Sequence, residues 1–285
     1  MHEAAGERQI SLEGYAYWPI LSADGRKICF RVTSGVGSGQ SPSELWLQEL
    51  ESGSKQRLFP GQLVTNYDIS RDDRVVAAVV DGSGRNALWL AWLDGREAPR
   101  PIPHGEGDNP RFGRDGEIVF RAFDGGEPGF LHRMQENGDE RTLFANVRSA
   151  TVGMVSPDGK WVSSVSNENL QMLLYPTNCQ APIPISPDLR NSRMRWSRDG
   201  KYAYLSIQDG QSSAFGLGHT YVMPLAKGSA LPSVPPGGFR TEAEIAALPG
   251  VETIAYGDVA PGPSRTVYAF SRMTTTRNLY RIPLQ

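Results

Sequence analysis

The chain has 285 residues, with 29 lysines and arginines against 31 aspartates and glutamates, a formal net charge of −2, and two cysteines. The two signs are interspersed along the sequence, which excludes the basic stripe that nucleic acid or an anionic membrane surface would require. There is no run of eighteen apolar residues and no basic-then-apolar leader, so neither a membrane-spanning helix nor a secretory signal is expected; the compartment stays open, and an extracytoplasmic place would follow only for a piece of a membrane-anchored protein.

Taken in chain order, the first strand-like segment is Glu7 to Leu12, polar then apolar, which belongs to no unit that follows it. A repeat begins after it. Five segments read apolar residue, Ser or Gly, any residue, Asp, then Gly or Asp, followed by a β-branched or aromatic run, with the aspartates at Asp24, Asp72, Asp115, Asp158 and Asp199. Asp and Gly tolerate the positive φ of a tight two-residue hairpin, and the flanking runs have strand character. The intervals between these aspartates are 48, 43, 43 and 41 residues, the length of one four-stranded propeller blade. Each unit continues with a second apolar run, such as Glu44 to Leu50 or Ala87 to Leu93, and then a short strand carrying charges or Pro, which protects an open sheet edge.

After Asp199 the spacing lengthens, because an insertion occupies 231–250. Leu231 to Gly238 reads as a loop, and Thr241 to Leu248 as a short helix with Thr241 as N-cap, Glu244 completing a capping box and Pro249-Gly250 as the stop. The last unit, Pro261 to Phe270 and Arg277 to Leu284, supplies three strands and lacks one. The spare segment 7–12 would complete it by pairing with Asn278 to Ile282. The expected architecture is one all-β domain over 1–285, a six-bladed β-propeller with four-stranded antiparallel blades at about 14–59, 62–104, 107–145, 149–186, 191–236, and 251–285 plus 7–12.

The Ser-x-Asp-Gly turns followed by a β run and a Leu-Trp-Leu-type strand resemble the TolB-like and WD-repeat-like propellers of bacterial proteins, from about Trp18 to Leu284. The ending Arg277 to Leu284 and the insert Pro236 to Glu244 are similar to the C-terminal propellers of bacterial Ser/Thr kinases and winged-helix regulators. That resemblance implies a sensor or protein-interaction module, with this chain as a piece of a larger regulator. The kinase signatures themselves, a Gly-rich loop with its strand Lys, His-Arg-Asp and Asp-Phe-Gly, do not occur.

Little in the sequence points to catalysis. There is no Gly-x-Ser-x-Gly elbow, so a serine hydrolase of the kind that carries such propellers is not expected. His2, His104, His132 and His219 fall in different units without ligand spacing and read as surface imidazoles, His104 and His219 in loops. Gly35 to Gly39 is followed by a strand rather than a helix, which makes it a hairpin loop and not a phosphate cradle. Trp46, Trp89, Trp92, Trp161 and Trp196 recur at matching places and are expected to fill gaps between sheets. Cys29 and Cys179 read as buried small hydrophobes. No metal centre and no cofactor is expected.

The polar residues with no packing rationale lie on the innermost strands. Four positions before the hairpin Asp stand Ile20, Asp68, Arg111, Met154 and Arg195; six before it stand Trp18, Asn66, Asn109, Val152 and Arg193, with Asp258 at about that place in the last unit. Inner strands line the central channel. The sequence therefore predicts a non-enzymatic binding or sensor module that holds a protein segment or a small anionic ligand at the channel mouth, with Asp68, Asn109, Arg111, Arg193, Arg195 and Asp258 as the ligand-binding residues. The rival is a propeller hydrolase or lyase using channel carboxylates as acid and base.

Overall fold

A computed structural model describes residues 1–3, 6–13, 15–33, 42–124, 127–139, 142–145, 149–166, 171–178, 180–186, 189, 192–208 and 217–272. Among them the architecture is all β, with a single short helix, Glu242–Ala246. Among the described residues all strand pairing is antiparallel, and it follows chain order in every unit but the last, which the N-terminus joins. The first sheet comprises Tyr15–Leu21, Lys27–Thr33, Glu44–Glu49 and Lys55–Arg57. Another comprises Ser149–Val155, Trp161–Ser166, Met172–Pro176 and Ile183–Ser186.

The hydrogen bonding delineates five sheets rather than the six separate blades that the repeat predicts. The second and third repeat units form one seven-stranded sheet because the strand Arg100–Phe112 runs unbroken from the outer edge of one into the inner position of the next. Its early residues pair with Asn86–Trp92 and its later ones with Ile118–Asp124. Between them it turns a corner: the pairing register shifts from Pro101 to Glu106, His104 has φ 57°, and a Cβ at Gly107 would overlap the Arg121 carbonyl. The two halves of this sheet then pack face to face, with Val76, Ala78, Leu88 and Leu90 against Phe112, Ile118 and Phe120.

Apolar clusters fill the space between consecutive units. One joins Cys29, Leu45 and Leu47 to Tyr67, Val75 and Val79; another joins Met172 and Leu174 to Met194, Leu205 and Tyr221. The last closes the circuit, placing Met1, Ala260 and Ala269 against Leu21, Ile28 and Phe30. Second strands such as Arg74–Val80 are therefore buried on both faces, which explains their continuous apolar runs. The repeated tryptophans lie in or against these clusters: Trp92 and Trp196 buried, Trp46, Trp89 and Trp161 half-buried at their margins. Cys29 is fully buried in the first of them, and Cys179 lies outside the described residues.

Three placements differ from the sequence expectation. The N-terminus does join the last unit, but through His2–Glu3, which pairs with Tyr268–Phe270 and carries Gly6–Glu7 on its other side; 8–12 form no strand, and 278–282 lie outside the described residues. The strand Glu252–Ile254 pairs with Gly218–Pro224 and so is the outer strand of the fifth unit, not the start of the sixth. The insertion thus sits inside the fifth unit, docked by Phe239 and Ile245 on its apolar face. Its helix is capped as the sequence indicates, with Thr241 Oγ1 accepting from the Glu244 amide at 3.3 Å, though Glu244 returns its carboxylate to the Arg240 amide instead of the cap's own. Finally, His104 and His219 stand in strands, not loops.

The repeat motif builds one turn many times over. Ser22, Ser70, Ser156 and Ser197 each donate to the Asp two residues on, at 2.6–2.7 Å. The same oxygens accept from the amides of Lys27, Arg74, Trp161 and Tyr202, at 2.8–3.0 Å. The turns are longer than the two-residue hairpin expected. Ser70 N bonds Arg74 O around three residues, and Ser22 N bonds Lys27 O around four, which puts the positive φ on the glycine (Gly25, 72°) or on its replacement Asp73 (61°). In the third unit Gly113 replaces Ser, and the Glu117 side chain occupies the space.

Candidate functional site in the central channel

A cavity of about 240 Å³ runs along the axis, walled by the inner strands. The two aligned registers supply its wall: Trp18 and Ile20, Asn66 and Asp68, Asn109 and Arg111, Val152 and Met154, Arg193 and Arg195, with Ala260 from the last sheet. Asp68, Asn109, Arg111, Arg193 and Arg195 thus share one cavity. Asp258 does not line it; it is fully buried behind Arg195, whose guanidinium reaches its Oδ1 at 3.0 Å.

These strands are bent where they meet the cavity. Pairing registers shift between Tyr17 and Ile20, between Asp108 and Arg111, and between Val152 and Val155. At the first two, Trp18 (φ 54°) and Asn109 (φ 51°) adopt a left-handed backbone just before a proline. For a bulky residue such as Trp this conformation costs on the order of 1–3 kcal/mol and persists only where surrounding packing imposes it. Bulges at such places re-aim side chains.

The charges are unequally committed. Arg111 gives Nε to the Gly153 carbonyl and Nη1 to those of Tyr67 (3.0 Å) and Pro110 (2.8 Å), spanning three inner strands. Burial pushes its pKa down to about 10, against the attraction of Asp68. Asp68 Oδ2 accepts from the Phe112 amide at 2.9 Å, while Oδ1 has no partner among the described residues. Burial raises its pKa, with Arg111 opposing. Arg193 makes no hydrogen bond or ion pair among the described residues; its guanidinium lies 4.6 Å from the centre of the Trp18 ring, and burial lowers its pKa despite nearby Asp258. The amide nitrogens of Asn66 and Asn109, 1% and 2% exposed residues, are also without partners among the described residues. Buried polar groups are normally bonded, so several unpaired ones around one cavity mark it as more than packing.

The sequence alignment did not disclose the other end of the channel. Arg71 and Arg198 occupy the variable place of the Ser-x-Asp turn in the second and fifth units. They reach across the axis, Arg71 to the carbonyls of Pro157 and Arg198, Arg198 to those of Ser70 and Leu21. Also undisclosed was Arg31, fully buried 5.1 Å from the centre of the Trp18 ring, with Nε on Ser43 Oγ at 2.7 Å and its pKa lowered to about 10 by burial. The signals available in the sequence were the Trp18-Pro19 and Asn109-Pro110 pairs, since proline inside a strand marks a bulge. Among the described residues no group of His, Cys, Asp or Glu could hold a metal ion, and no helix is long and apolar enough to cross a membrane.

Solved structures share this arrangement of sheets about a channel. A putative TolB from Agrobacterium tumefaciens aligns with TM-score 0.59 at 15% identity over 74% of this chain and 78% of its own. TolB from Acinetobacter baumannii aligns with TM-score 0.56 at 17% identity over 74% of this chain. The fold is that of a TolB-like β-propeller. The chain spans about half the length of the Acinetobacter TolB, 52%. A propeller in a nidogen–laminin complex aligns with TM-score 0.53 at 10% identity, over 76% and 78% of the two chains. No family model and no curated protein matches the sequence.

Proposed function

We propose that this TolB-like propeller is a binding module whose central channel holds a protein segment or a small anionic ligand, without chemistry of its own. The observation that carries the reading is the convergence on one cavity of buried polar atoms that have no partner among the described residues, on Asn66, Asp68 and Asn109, beside the Arg193 guanidinium, likewise uncommitted among them. A largely preformed cavity with a few convergent polar groups is the usual form of a ligand site. The likeness to TolB and to a propeller from a nidogen–laminin complex supports a protein as partner. We further infer six blades: the seven-stranded sheet acts as two, because its halves pack face to face across an apolar cluster as separate sheets do elsewhere in the ring.

One observation favours the enzymatic alternative: Asp68 is a buried carboxylate with a raised pKa in a cavity, as catalytic acids are. Against it, Asp258 is held by Arg195 outside the cavity wall, and Asp72, the other carboxylate that lines the cavity, is paired with Arg74 at 2.9 Å. The test is a photo-cross-linking residue at Ile20, compared with the same residue at Arg85, which is exposed and outside the cavity. Adducts formed from Ile20 alone, and lost in an Asn66→Leu/Asn109→Leu variant, support binding in the channel; equal labelling from both positions refutes it. Turnover of ester, peptide or lactone substrates that disappears in Asp68→Asn would install the enzymatic reading instead.

A further inference from the structure

The cavity's cations do not stand equal. Arg195 is neutralised by Asp258, and Arg111 spends its donors on three backbone carbonyls. Arg71 and Arg198 are tied to carbonyls across the hairpin end, with Asp73 and Asp24 near Arg198. Arg193 alone among these keeps its five N–H donors free of protein acceptors among the described residues, and it is held by its stack on Trp18. The ring is itself held, because the fully buried Arg31 guanidinium also lies 5.1 Å from its centre and the backbone bulge fixes its strand. Charge is in excess: among the described residues the carboxylates acting on Arg111, Arg193 and Arg195 are Asp68 and Asp258, two against three, and Arg31 adds a fourth cation beside Trp18.

We infer that Arg193, braced on Trp18, is the anchor for a carboxylate borne on an apolar body, with the amides of Asn66 and Asn109 as auxiliary donors. The inference rests on the channel-binding reading above and names what the channel takes. A planar carboxylate matches the guanidinium fork in a way a point cation cannot reproduce. The cavity wall also carries apolar side chains, Ile20, Val152 and Met154, which give an alkyl or aryl body a place to bury that a bare inorganic ion would not use. Two sources carry this chemistry: a free organic acid and the C-terminal carboxylate of a peptide.

The experiment is calorimetric titration of the whole chain with acetate, hexanoate and 4-phenylbutyrate, with a hexapeptide ending in Leu as free acid and as amide, and with inorganic phosphate. Affinity should rise from acetate to the larger acids, or the peptide acid should bind where its amide does not; the first result identifies a free acid and the second a chain terminus. Arg193→Met should raise the dissociation constant of the binding probe ten- to a hundredfold and Arg193→Lys restore it only in part, while Arg100→Met leaves it unchanged. Trp18→Phe, which keeps a ring under the guanidinium, should weaken binding less than Arg193→Met. Phosphate binding tighter than every carboxylate, an Arg193→Met protein that binds as the parent does, or silence from all the acids and the peptide each overturns the inference. Cross-links from Ile20 in a protein that ignores every carboxylate would leave the channel as a binding site and reject only this anchor.

Discussion

The two ends of the inner strands are built on opposite plans. At the hairpin end four serines make the same pair of hydrogen bonds in four units, and every such Asp is answered by its Ser. Six residues upstream, the equivalent positions hold Trp18, Asn66, Asn109, Val152 and Arg193, no two units arranged alike, with left-handed backbone at two of them and, at two, amides unpaired among the described residues. A turn has one local task, so the same residues solve it each time. The channel wall has no such shared local task, and there the repeat dissolves and strain is tolerated.

This contrast can be broken most forcefully at the wall's buried ion pair. Asp258→Ala leaves the Arg195 charge without its partner and should lower unfolding stability by about 3–5 kcal/mol in urea denaturation. Adding Arg195→Met should recover most of that loss; a double variant as unstable as the single one would show that Asp258 acts through packing and not charge. At the hairpin end the loss should be smaller. Ser197→Ala removes the acceptor of the Tyr202 amide and the donor to Asp199, and should cost about 1–2 kcal/mol. Ser22→Ala and Ser156→Ala should match it, since the geometry is the same; values that scatter as widely as wall substitutions would erase the distinction.

Asn109→Gly tests the wall from the other side. Glycine accepts φ 51° without the steric cost, so stability should rise by up to about 1 kcal/mol while the affinity of a carboxylate probe falls with the lost amide. A stabilised variant with undiminished affinity would remove Asn109 from the site. The smallest expected effect is in the response to acid. The Ser22 hydroxyl, with the Arg26 amide, holds the Asp24 pKa below its usual value, so its contribution is present above the unfolded value near ~4 and is lost as pH falls through the folded one. Burial raises the Asp68 pKa, so its contribution is full below ~4 and is lost as pH rises through the folded value. Melting temperatures from pH 2 to 7 should show the parent gaining on Asp24→Asn with rising pH and losing ground to Asp68→Asn. Parallel curves for the two variants would contradict the opposed environments.

Much of the fold was legible because a blade is a local object. The spacing of Asp24, Asp72, Asp115, Asp158 and Asp199, and the runs between, specify hairpins that need only near neighbours to form. The strand Glu252–Ile254 was misplaced because a twenty-residue insertion separates it from its partner and nothing local says which sheet edge it completes. His2–Glu3 is likewise too short to carry a pattern of its own.

For the site, the sequence alone determined which positions could face the channel, since register from a fixed turn and the two-residue period of a strand decide that much: Asn109, Arg111, Arg193 and Arg195 were placed by counting back from an aspartate. Which of them remains available was decided only by tertiary structure. Arg195 is taken by Asp258 from 63 residues away, Arg111 by carbonyls of neighbouring strands, and Trp18 is turned by a bulge and pinned by Arg31 until Arg193 is the guanidinium left over. A charge is silenced or left free by groups that approach through space, and the approach of distant strands around a ring is not written in the residues beside it.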